Sequence, residues 1–231
     1  MQYFPIAWPF LLILGALVLA AFTIIELQIL TTAYMRMGIH PRYVFTILLM
    51  SILGSYVNIP VAQLPPERMV SDTTVDFFGM EYVVPKVERW PGTIIAVNVG
   101  GAVIPVLLSL YLAVNNRLYW RSIFAITVVA IIVNHLARPV HGVGISVPIF
   151  VPPLVAAGAA MLFSLRRAPA LAYIAGSMGT LIGADLLNLG RIQGLGAPIA
   201  SIGGAGTFDG IFLTGIIAVL LPPVGQARRS R

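Results

Sequence analysis

The chain has 231 residues, 58% of them hydrophobic and only 10% charged, with a mean hydropathy of +0.94, which excludes a soluble globular domain and indicates an integral membrane protein. The net charge of +6 does not indicate nucleic-acid binding, because the basic residues lie at the ends of apolar segments and do not form one patch. The absence of cysteine excludes disulfides, thiol nucleophiles and metal sites with cysteine ligands.

Seven apolar segments predict an all-α bundle of about seven transmembrane helices, built as a single membrane domain over residues 1–231. The first apolar run is about 25 residues long and has no Lys or Arg before it, so it is predicted to be a spanning helix and not a cleaved signal peptide. The predicted spans are residues 9–33, 43–61, 92–114, 120–136, 145–165, 168–190 and 206–221.

The first span contains a carboxylate, Glu26. A helix that begins at residue 9 places this side chain ~26 Å along its axis, near the far interface of the membrane. We interpret Glu26 as a residue that reaches the lipid headgroups or pairs with Arg36.

Residues 63–91, between the second and third spans, are predicted to form an extracytoplasmic loop. The stretch contains two successive prolines and more acidic than basic residues. Residues 73–84 alternate between apolar and polar side chains around Gly79, which predicts either a small β-hairpin or a short amphipathic cap, with the hairpin favoured.

Polar residues in and after the third span are candidates for a supporting role. Asn98, Gly100, Gly101 and Pro105 lie in that span, where we interpret the glycines and the proline as tight packing in a kinked helix. Two histidines further along the chain could ligate a metal, but no third ligand lies close in sequence, so a capped turn is the favoured interpretation. No metal or other cofactor is predicted, and the candidate supporting residues are Asn98, His135, Arg138 and His141.

The distribution of basic residues predicts the orientation of the chain. Loops that carry arginines are retained in the cytoplasm, so the chain is predicted to be N-out and C-in, in the plasma (inner) membrane of a prokaryote. The arginines that support this are Arg36, Arg42, Arg117, Arg121, Arg166, Arg167, Arg228, Arg229 and Arg231.

Residues 168–223 form two apolar helices that each carry one carboxylate, Asp185 and Asp209. An ionised aspartate at the centre of a spanning helix costs roughly 2.5–3.5 kcal/mol on insertion scales, so two of them indicate a function. At 1.5 Å per residue, Asp185 lies ~24 Å from Pro169 and Asp209 lies ~20 Å from Pro222. We therefore expect antiparallel neighbouring helices with both carboxyl groups at one level in the outer half of the membrane.

Two carboxyl groups a few ångströms apart share one proton, so one can act as a base while the other acts as an acid. Such a pair can activate water for attack on a peptide carbonyl and then protonate the leaving amine. The arrangement therefore predicts peptide hydrolysis inside the membrane.

The two motifs also carry a family resemblance. Residues 184–189 (Ala-Asp-Leu-Leu-Asn-Leu) and 204–212 (Gly-Ala-Gly-Thr-Phe-Asp-Gly-Ile-Phe) resemble the catalytic motifs of the intramembrane aspartyl proteases, the presenilin and signal peptide peptidase group with its Gly-x-Gly-Asp signature. The resemblance covers about the last 50 residues and implies that Asp185 and Asp209 are the catalytic acids. It implies substrate binding or close backbone approach at Gly204, Gly206, Thr207, Gly210 and Asn188. The whole chain is similar to multi-span membrane proteins of bacteria and archaea.

Two other functions are consistent with the same residues. Carboxylates next to Gly- and Pro-interrupted helices are also typical of carriers, so the alternative is a cation- or proton-coupled transporter or channel. A purely structural alternative is that the aspartates bind backbone amides at broken helices, or that Asp185 pairs with Arg191. The predicted partners are membrane lipids and either a transmembrane peptide or a small ion, and no oligomeric state is predicted.

Overall fold

A computed structural model describes residues 8–77, 80–140, 144–193, 195–204 and 210–222. Most of these residues are helical, and one α-helix overlaps each of the seven apolar segments. The helices are α1 Trp8–Arg36, α2 Pro41–Ser55, α3 Ile104–Asn115, α4 Tyr119–Leu136, α5 Val151–Phe163, α6 Ala168–Thr180 and α7 Gly210–Leu220.

The lengths of the helical stretches confirm a helical membrane protein. Within the described ranges, three stretches are long and apolar enough to cross a membrane: Phe10–Arg36, Tyr119–Leu136 and Leu165–Arg191. The third is composite, because α6 continues into a π-helical turn and a 3₁₀ helix. The other apolar helices are shorter than 18 residues, so length alone supports three spans and not all seven.

Strands in the described residues correct the prediction of an all-α fold. They form one sheet of three strands and two pairs. The strands are β1 Asn58–Gln63, β2 Glu67–Phe77, β3 Met80–Trp90, β4 Ile94–Asn98, β5 Arg138–Val140, β6 Gly144–Ser146 and β7 Ile199–Ile202.

Strands β2 and β3 confirm the predicted hairpin. They pair antiparallel from Glu67 opposite Trp90 to Phe77 opposite Met80. The ladder is longer than the predicted 73–84, because the pairing extends down both strands towards the membrane helices. Gly79, around which the hairpin was predicted to turn, lies outside the described residues.

The three-stranded sheet has the order β1-β4-β7, with β1 antiparallel and β7 parallel to β4. The sheet shortens the second predicted span, since α2 ends at Ser55 and the chain continues as a strand. Pro60 is tolerated in β1 because an edge strand has one row of backbone groups outside the ladder, and a register shift follows this residue. Ile94, Ile95 and Val97 favour an extended backbone at the start of the third predicted span.

The third predicted span begins with a π-helical turn, Val99–Val103, that continues into α3. A Cβ on Gly100 would overlap the carbonyl oxygen of Ser51 in α2, so only glycine allows the two backbones to approach this closely. Pro105 lies in the first turn of α3, directly after the π turn, so the continuous helix lacks the backbone hydrogen bond that an N–H at this position would make. The predicted tight packing is therefore present, and the irregularity of the helix is the π turn.

Contacts between helices separate the molecule into two ends. Gly179 of α6 packs on Val129 of α4 and Gly183 packs on Ala130, so these two helices run parallel. Gly176 contacts Thr214 of α7, while Thr180 and Ala184 line a cavity together with Ile211, so α6 and α7 run antiparallel. The sheet β1-β4-β7 and Asp185 consequently lie towards one end of the bundle.

The opposite end, which we call the arginine end, contains the turns at residues 37–40, 116–118 and 164–167 and the C-terminus of α7. Arg36 donates to the carbonyl oxygen of Leu220 at 2.9 Å, and Arg167 donates to the carbonyl oxygen of Asn116. Arg36 therefore binds the end of α7, and not Glu26 as one interpretation of the sequence proposed.

Helix α6 occupies the centre of the bundle. In the most apolar 18 residues of the long stretch that contains it, 72% of the residues are buried, whereas 0% are buried in the corresponding section of α1. Its side chains pack against α3, α4, α5 and α7, and small residues keep those helices close.

Substitution of Gly183 tests this close packing. A Cβ at this position would lie 2.5 Å from the carbonyl oxygen of Ala130. Because this oxygen belongs to the backbone of α4, it cannot easily move away. Gly183→Ala is expected to destabilise the protein by about 1–3 kcal/mol, measured as a lower midpoint of thermal unfolding in detergent. Gly15→Ala in α1 is the matched control, because nothing lies within 4 Å of its added methyl group. An equal effect of both substitutions would contradict the packing described here.

Candidate functional site

The central helix changes its geometry at Asp185. A π-helical turn, Leu181–Asp185, follows α6 and leads directly into a 3₁₀ helix, Leu186–Arg191. Changes of helix type leave backbone carbonyl groups without their regular partners, and π turns are frequent at functional sites. Asp185 is the last residue of the π turn, and its side chain is half-buried.

Two asparagine side chains bind the carbonyl groups at this turn. Asn188 donates to Gly183 O at 2.8 Å and to Ala184 O at 3.0 Å, and Asn134 of α4 donates to Gly183 O at 3.2 Å. These bonds stabilise the irregular backbone that presents Asp185.

The structure gives Asn188 a supporting position. Its side chain is fully buried, and it lines none of the cavities described below. Its Oδ1 accepts a hydrogen bond from Arg191 at 3.2 Å. The alternative partner that the sequence suggested for Asp185, Arg191, is thus bound to Asn188.

The carboxyl group of Asp185 is oriented by a turn that is distant in sequence. Its Oδ2 accepts a hydrogen bond from the backbone N–H of Gly203 at 2.7 Å. Gly203 and Gly204 have φ angles of 92° and 77°, a left-handed conformation that glycine adopts without strain. This turn follows β7 and directs its amide towards the helix that carries Asp185.

The turn at Gly203 lies against the π turn of the third predicted span. A Cβ on Gly101 would overlap the carbonyl oxygen of Gly203, and a Cβ on Gly203 would lie 2.6 Å from the amide nitrogen of Ala102. Asn98, which is fully buried, holds the π turn: its Oδ1 accepts from Gly101 N at 2.7 Å and its Nδ2 donates to Ser55 O at 2.7 Å. Asn98 therefore supports the site through the backbone and does not contact Asp185.

Asp185 lines a cavity of about 230 Å³. All four residues of β7 line the same cavity, together with Gly204 and the start of β6. Successive side chains of a strand point to opposite faces, so a cavity lined by four consecutive residues runs along the edge of that strand. Among the described residues β7 pairs only with β4, which leaves its other edge without a strand partner.

Three of the predicted site residues, Gly206, Thr207 and Asp209, lie outside the described residues. Gly210, which directly follows Asp209 in the sequence, begins α7. The next residue, Ile211, packs in an apolar cluster with Leu181 of the π turn and with Ala102. Ile211 and Ala184 also line one cavity of about 300 Å³. The start of α7 therefore lies beside the turn that carries Asp185.

Of the other predicted supporting residues, the two that the structure describes do not line either cavity. His135 and Arg138 are exposed, at the end of α4 and in β5, and His141 lies outside the described residues. Within the part of the chain that the structure describes, no three His, Cys, Asp or Glu side chains are grouped so as to hold a metal ion.

The sequence did not indicate several residues that build the site. Gly203 supplies the donor to Asp185, Asn134 binds the π turn, and Ser201 lies 2.7 Å from both Asn58 Oδ1 and Gly204 O. The available signal was the glycine pair at 203–204 directly after a short apolar run, which is typical of a tight turn after a strand.

Comparison with known proteins relates most of the chain to a protein family. The family model described as "Protein of unknown function (DUF1614)" matches residues 52–221. This range includes the three-stranded sheet, the π turn with Asp185 and all of α7, and it leaves α1 outside. No curated protein and no solved structure matches the chain.

Proposed function

We propose that this chain, which belongs to the DUF1614 family, is an intramembrane aspartyl protease that hydrolyses peptide bonds with the carboxyl groups of Asp185 and Asp209. The observation that carries the proposal is the position of Asp185. This half-buried carboxylate lies at a break in the central helix and lines a cavity beside a strand with an open edge.

Asp209 is proposed as the second carboxyl group because of its covalent neighbours. Gly210 follows it directly, and Ile211 contacts the apolar cluster that includes Leu181. Consecutive Cα atoms are about 3.8 Å apart, so the position of Gly210 supports the choice of Asp209 as the second group. Antiparallel packing of α6 and α7 supports the same pairing.

The proposed reaction needs only water and the two carboxyl groups, so no cofactor is included. The ionised carboxylate takes a proton from water, and the water oxygen attacks the carbonyl carbon of the peptide bond. The protonated carboxyl group donates its proton to the carbonyl oxygen, which yields a neutral tetrahedral intermediate. As the C–N bond breaks, the carboxyl group that took the proton from water donates it to the amine nitrogen, and the other carboxylate takes a proton from a hydroxyl group of the intermediate, so the pair again shares one proton.

The edge of β7 offers a way to hold the substrate. A transmembrane helix must unwind before its peptide bonds can be attacked, which exposes backbone N–H and C=O groups in an apolar environment. An extended peptide that paired with β7 would satisfy those groups, as in other proteins that add a strand to an open sheet edge. The four residues of β7 would then guide the substrate past Asp185.

The proposal includes an orientation in the membrane. Seven spans with the N-terminus outside and the C-terminus inside would place the arginine end in the cytoplasm of a prokaryote and the site in the outer half of the inner membrane. The common end shared by Arg36, Leu220, Asn116 and Arg167 supports this arrangement. The four shorter helices would cross with the help of the strands and turns that extend them.

A second candidate function is cation- or proton-coupled transport. The observation that favours it is the pair of facing irregular segments: the π turn that ends at Asp185 and the π turn Val99–Val103. Interrupted helices that expose backbone carbonyls beside a carboxylate are typical of ion sites in carriers. In this function Asp185 and Asp209 would be the ion-binding residues.

A liposome experiment separates the two functions. The purified protein is reconstituted once with an internally quenched transmembrane peptide and once with an enclosed pH-sensitive dye. The protease proposal expects peptide cleavage without a dye response to imposed Na⁺, K⁺ or proton gradients. Mass spectrometry of the products should place the cut in the half of the peptide nearest the outer surface.

The two possible contrary results have different meanings. A dye response without cleavage would replace the protease proposal by the transport function. Neither activity, in protein shown to be folded by its thermal unfolding transition, would contradict both. Liposomes that contain the Asp185→Asn, Asp209→Asn double variant are the negative control, because this variant differs from the wild type only in the two carboxyl groups.

A further inference from the structure

Four arginines converge on one pocket at the arginine end. Arg117 and Arg121 come from the turn after α3 and from the first turns of α4, whereas Arg166 and Arg167 come from the 3₁₀ turn before α6. Together with Asn116 and Ser164 they line a pocket of about 380 Å³, which we call the arginine pocket. The pocket is far from Asp185, because α4 and α6 each lead from the arginine end towards the sheet end.

The arginine pocket has no acidic residue on the elements that build it. The sequence contains no Asp or Glu between Glu88 and Asp185, a stretch that includes α3, α4, α5 and α6. Four like charges in one pocket repel each other unless an anion lies among them. No acidic side chain of these elements neutralises the four guanidinium groups, so a bound anion would relieve their mutual repulsion.

Two of the arginines are held in place by the protein. Arg121 donates to Ser164 Oγ at 3.4 Å, and Arg167 donates to the carbonyl oxygen of Asn116. The side chains of Arg117 and Arg166 make no hydrogen bond to a described residue, so their guanidinium groups are the ones available to a ligand. Arg117 is also the one described non-glycine residue with a positive φ, 52°, because it ends α3 in a Schellman motif, with its N–H bonded to Val114 O and the N–H of Leu118 bonded to Ala113 O.

Exposed apolar side chains flank the arginine pocket. Trp120 and Tyr119 begin α4, with 74% and 53% of their surfaces exposed, and tryptophan and tyrosine are enriched where the hydrocarbon layer meets the headgroups. Leu162 and Leu165 are 79% and 66% exposed on either side of Ser164. A ligand with a charged head and an apolar tail would match both the pocket and these surroundings.

We propose that the arginine pocket binds the phosphate group of an anionic phospholipid, with the acyl chains along the exposed residues of α4 and α5. Guanidinium groups bind phosphate oxygens in pairs of parallel hydrogen bonds, and basic pockets between helices on the cytoplasmic side are suited to lipid headgroups. This inference is independent of the proteolytic site and does not depend on it.

Binding is measured by thermal unfolding of the protein in nanodiscs. Wild-type protein in phosphatidylcholine discs is expected to unfold at a higher temperature when phosphatidylglycerol is added, and native mass spectrometry should detect retained phosphatidylglycerol. The variant Arg117→Asn, Arg166→Gln should weaken this retention by about tenfold or more. Asparagine is used at position 117 because it tolerates a positive φ.

The matched control is Arg42→Gln, Arg138→Gln, which removes the same charge outside the pocket and should retain the lipid as the wild type does. Equal losses in both double variants would show a general surface charge effect and overturn the proposal.

Inorganic phosphate is added to phosphatidylcholine discs as a separate arm. Stabilisation by inorganic phosphate equal to that by phosphatidylglycerol would overturn the lipid assignment and indicate a soluble phosphate ligand. No response to either would overturn the site altogether. A thermal unfolding transition of each double variant in discs of phosphatidylcholine alone confirms that the variant is folded.

Discussion

Replacing Asp185 by asparagine is expected to lower the rate of transmembrane peptide cleavage by about 10³-fold or more, because general acid–base groups contribute on that order. The substitution keeps the shape of the side chain, and the amide carbonyl of asparagine can still accept the hydrogen bond from Gly203 N–H. The variant should therefore remain folded while the proton-transferring group is lost. The rate is measured with the quenched peptide in liposomes, and Asp209→Asn should have the same effect because the two groups share one proton in the proposed mechanism.

Glu26→Gln is the matched control for this prediction. It removes a carboxylate from another apolar helix, but Glu26 is exposed on α1 and does not line the cavity of Asp185. Its cleavage rate should stay within about twofold of the wild type, since surface substitutions have small effects. Full activity of Asp185→Asn would show that the Asp185 carboxyl group has a structural role only, and the proteolytic mechanism would then be wrong.

Replacing Gly101 by alanine is expected to disrupt the site from a distance. The added methyl group would overlap the carbonyl oxygen of Gly203, so the turn after β7 must move away from the π turn. That movement displaces the N–H group that orients the Asp185 carboxyl group. We expect a loss of about 1–3 kcal/mol in the free energy of unfolding and a fall in cleavage of about 10²-fold, since displacements of about 1 Å can have that effect.

Gly158→Ala provides the same chemical change without the overlap. Gly158 lies in α5, and nothing lies within 4 Å of an added Cβ. Alanine is favoured over glycine in a helix by up to about 1 kcal/mol, so this variant should be as stable as the wild type or slightly more so. If both variants lowered cleavage equally, Gly101 would have no special role in positioning Asp185. The two measurements are thermal unfolding in detergent and peptide cleavage in liposomes.

Hydropathy alone predicted where the helices lie, since each apolar segment contains one helix in the structure. This signal is local: the free energy of placing a side chain in lipid depends on that side chain and hardly on its neighbours. The hairpin was also predicted, because alternation within a single stretch is visible in the sequence.

The ends of the helices were predicted less well. Residues 56–61 and 92–98 were assigned to spans, but they include most of β1 and all of β4. Apolar β-branched residues satisfy a membrane helix and a buried strand equally, so composition does not distinguish them. The choice is made by pairing: β4 is completed by β7, which lies about 100 residues further along the chain. No local pattern contains that information.

The sequence by itself determined that Asp185 is exceptional, because a carboxylate in an apolar helix is unfavourable without a specific role. Only the tertiary structure decided what surrounds it. The amide of Gly203 binds the Asp185 carboxyl group, the side chain of Asn134 binds the π turn at Gly183, and the edge of β7 lines the same cavity as Asp185. These groups come from separate parts of the chain. The same holds for the glycines: Gly101 and Gly158 look alike in the sequence, and they differ because only Gly101 has a backbone carbonyl where its side chain would be. Close packing depends on which atoms are neighbours in space, and those neighbours come from parts of the chain that are distant in sequence.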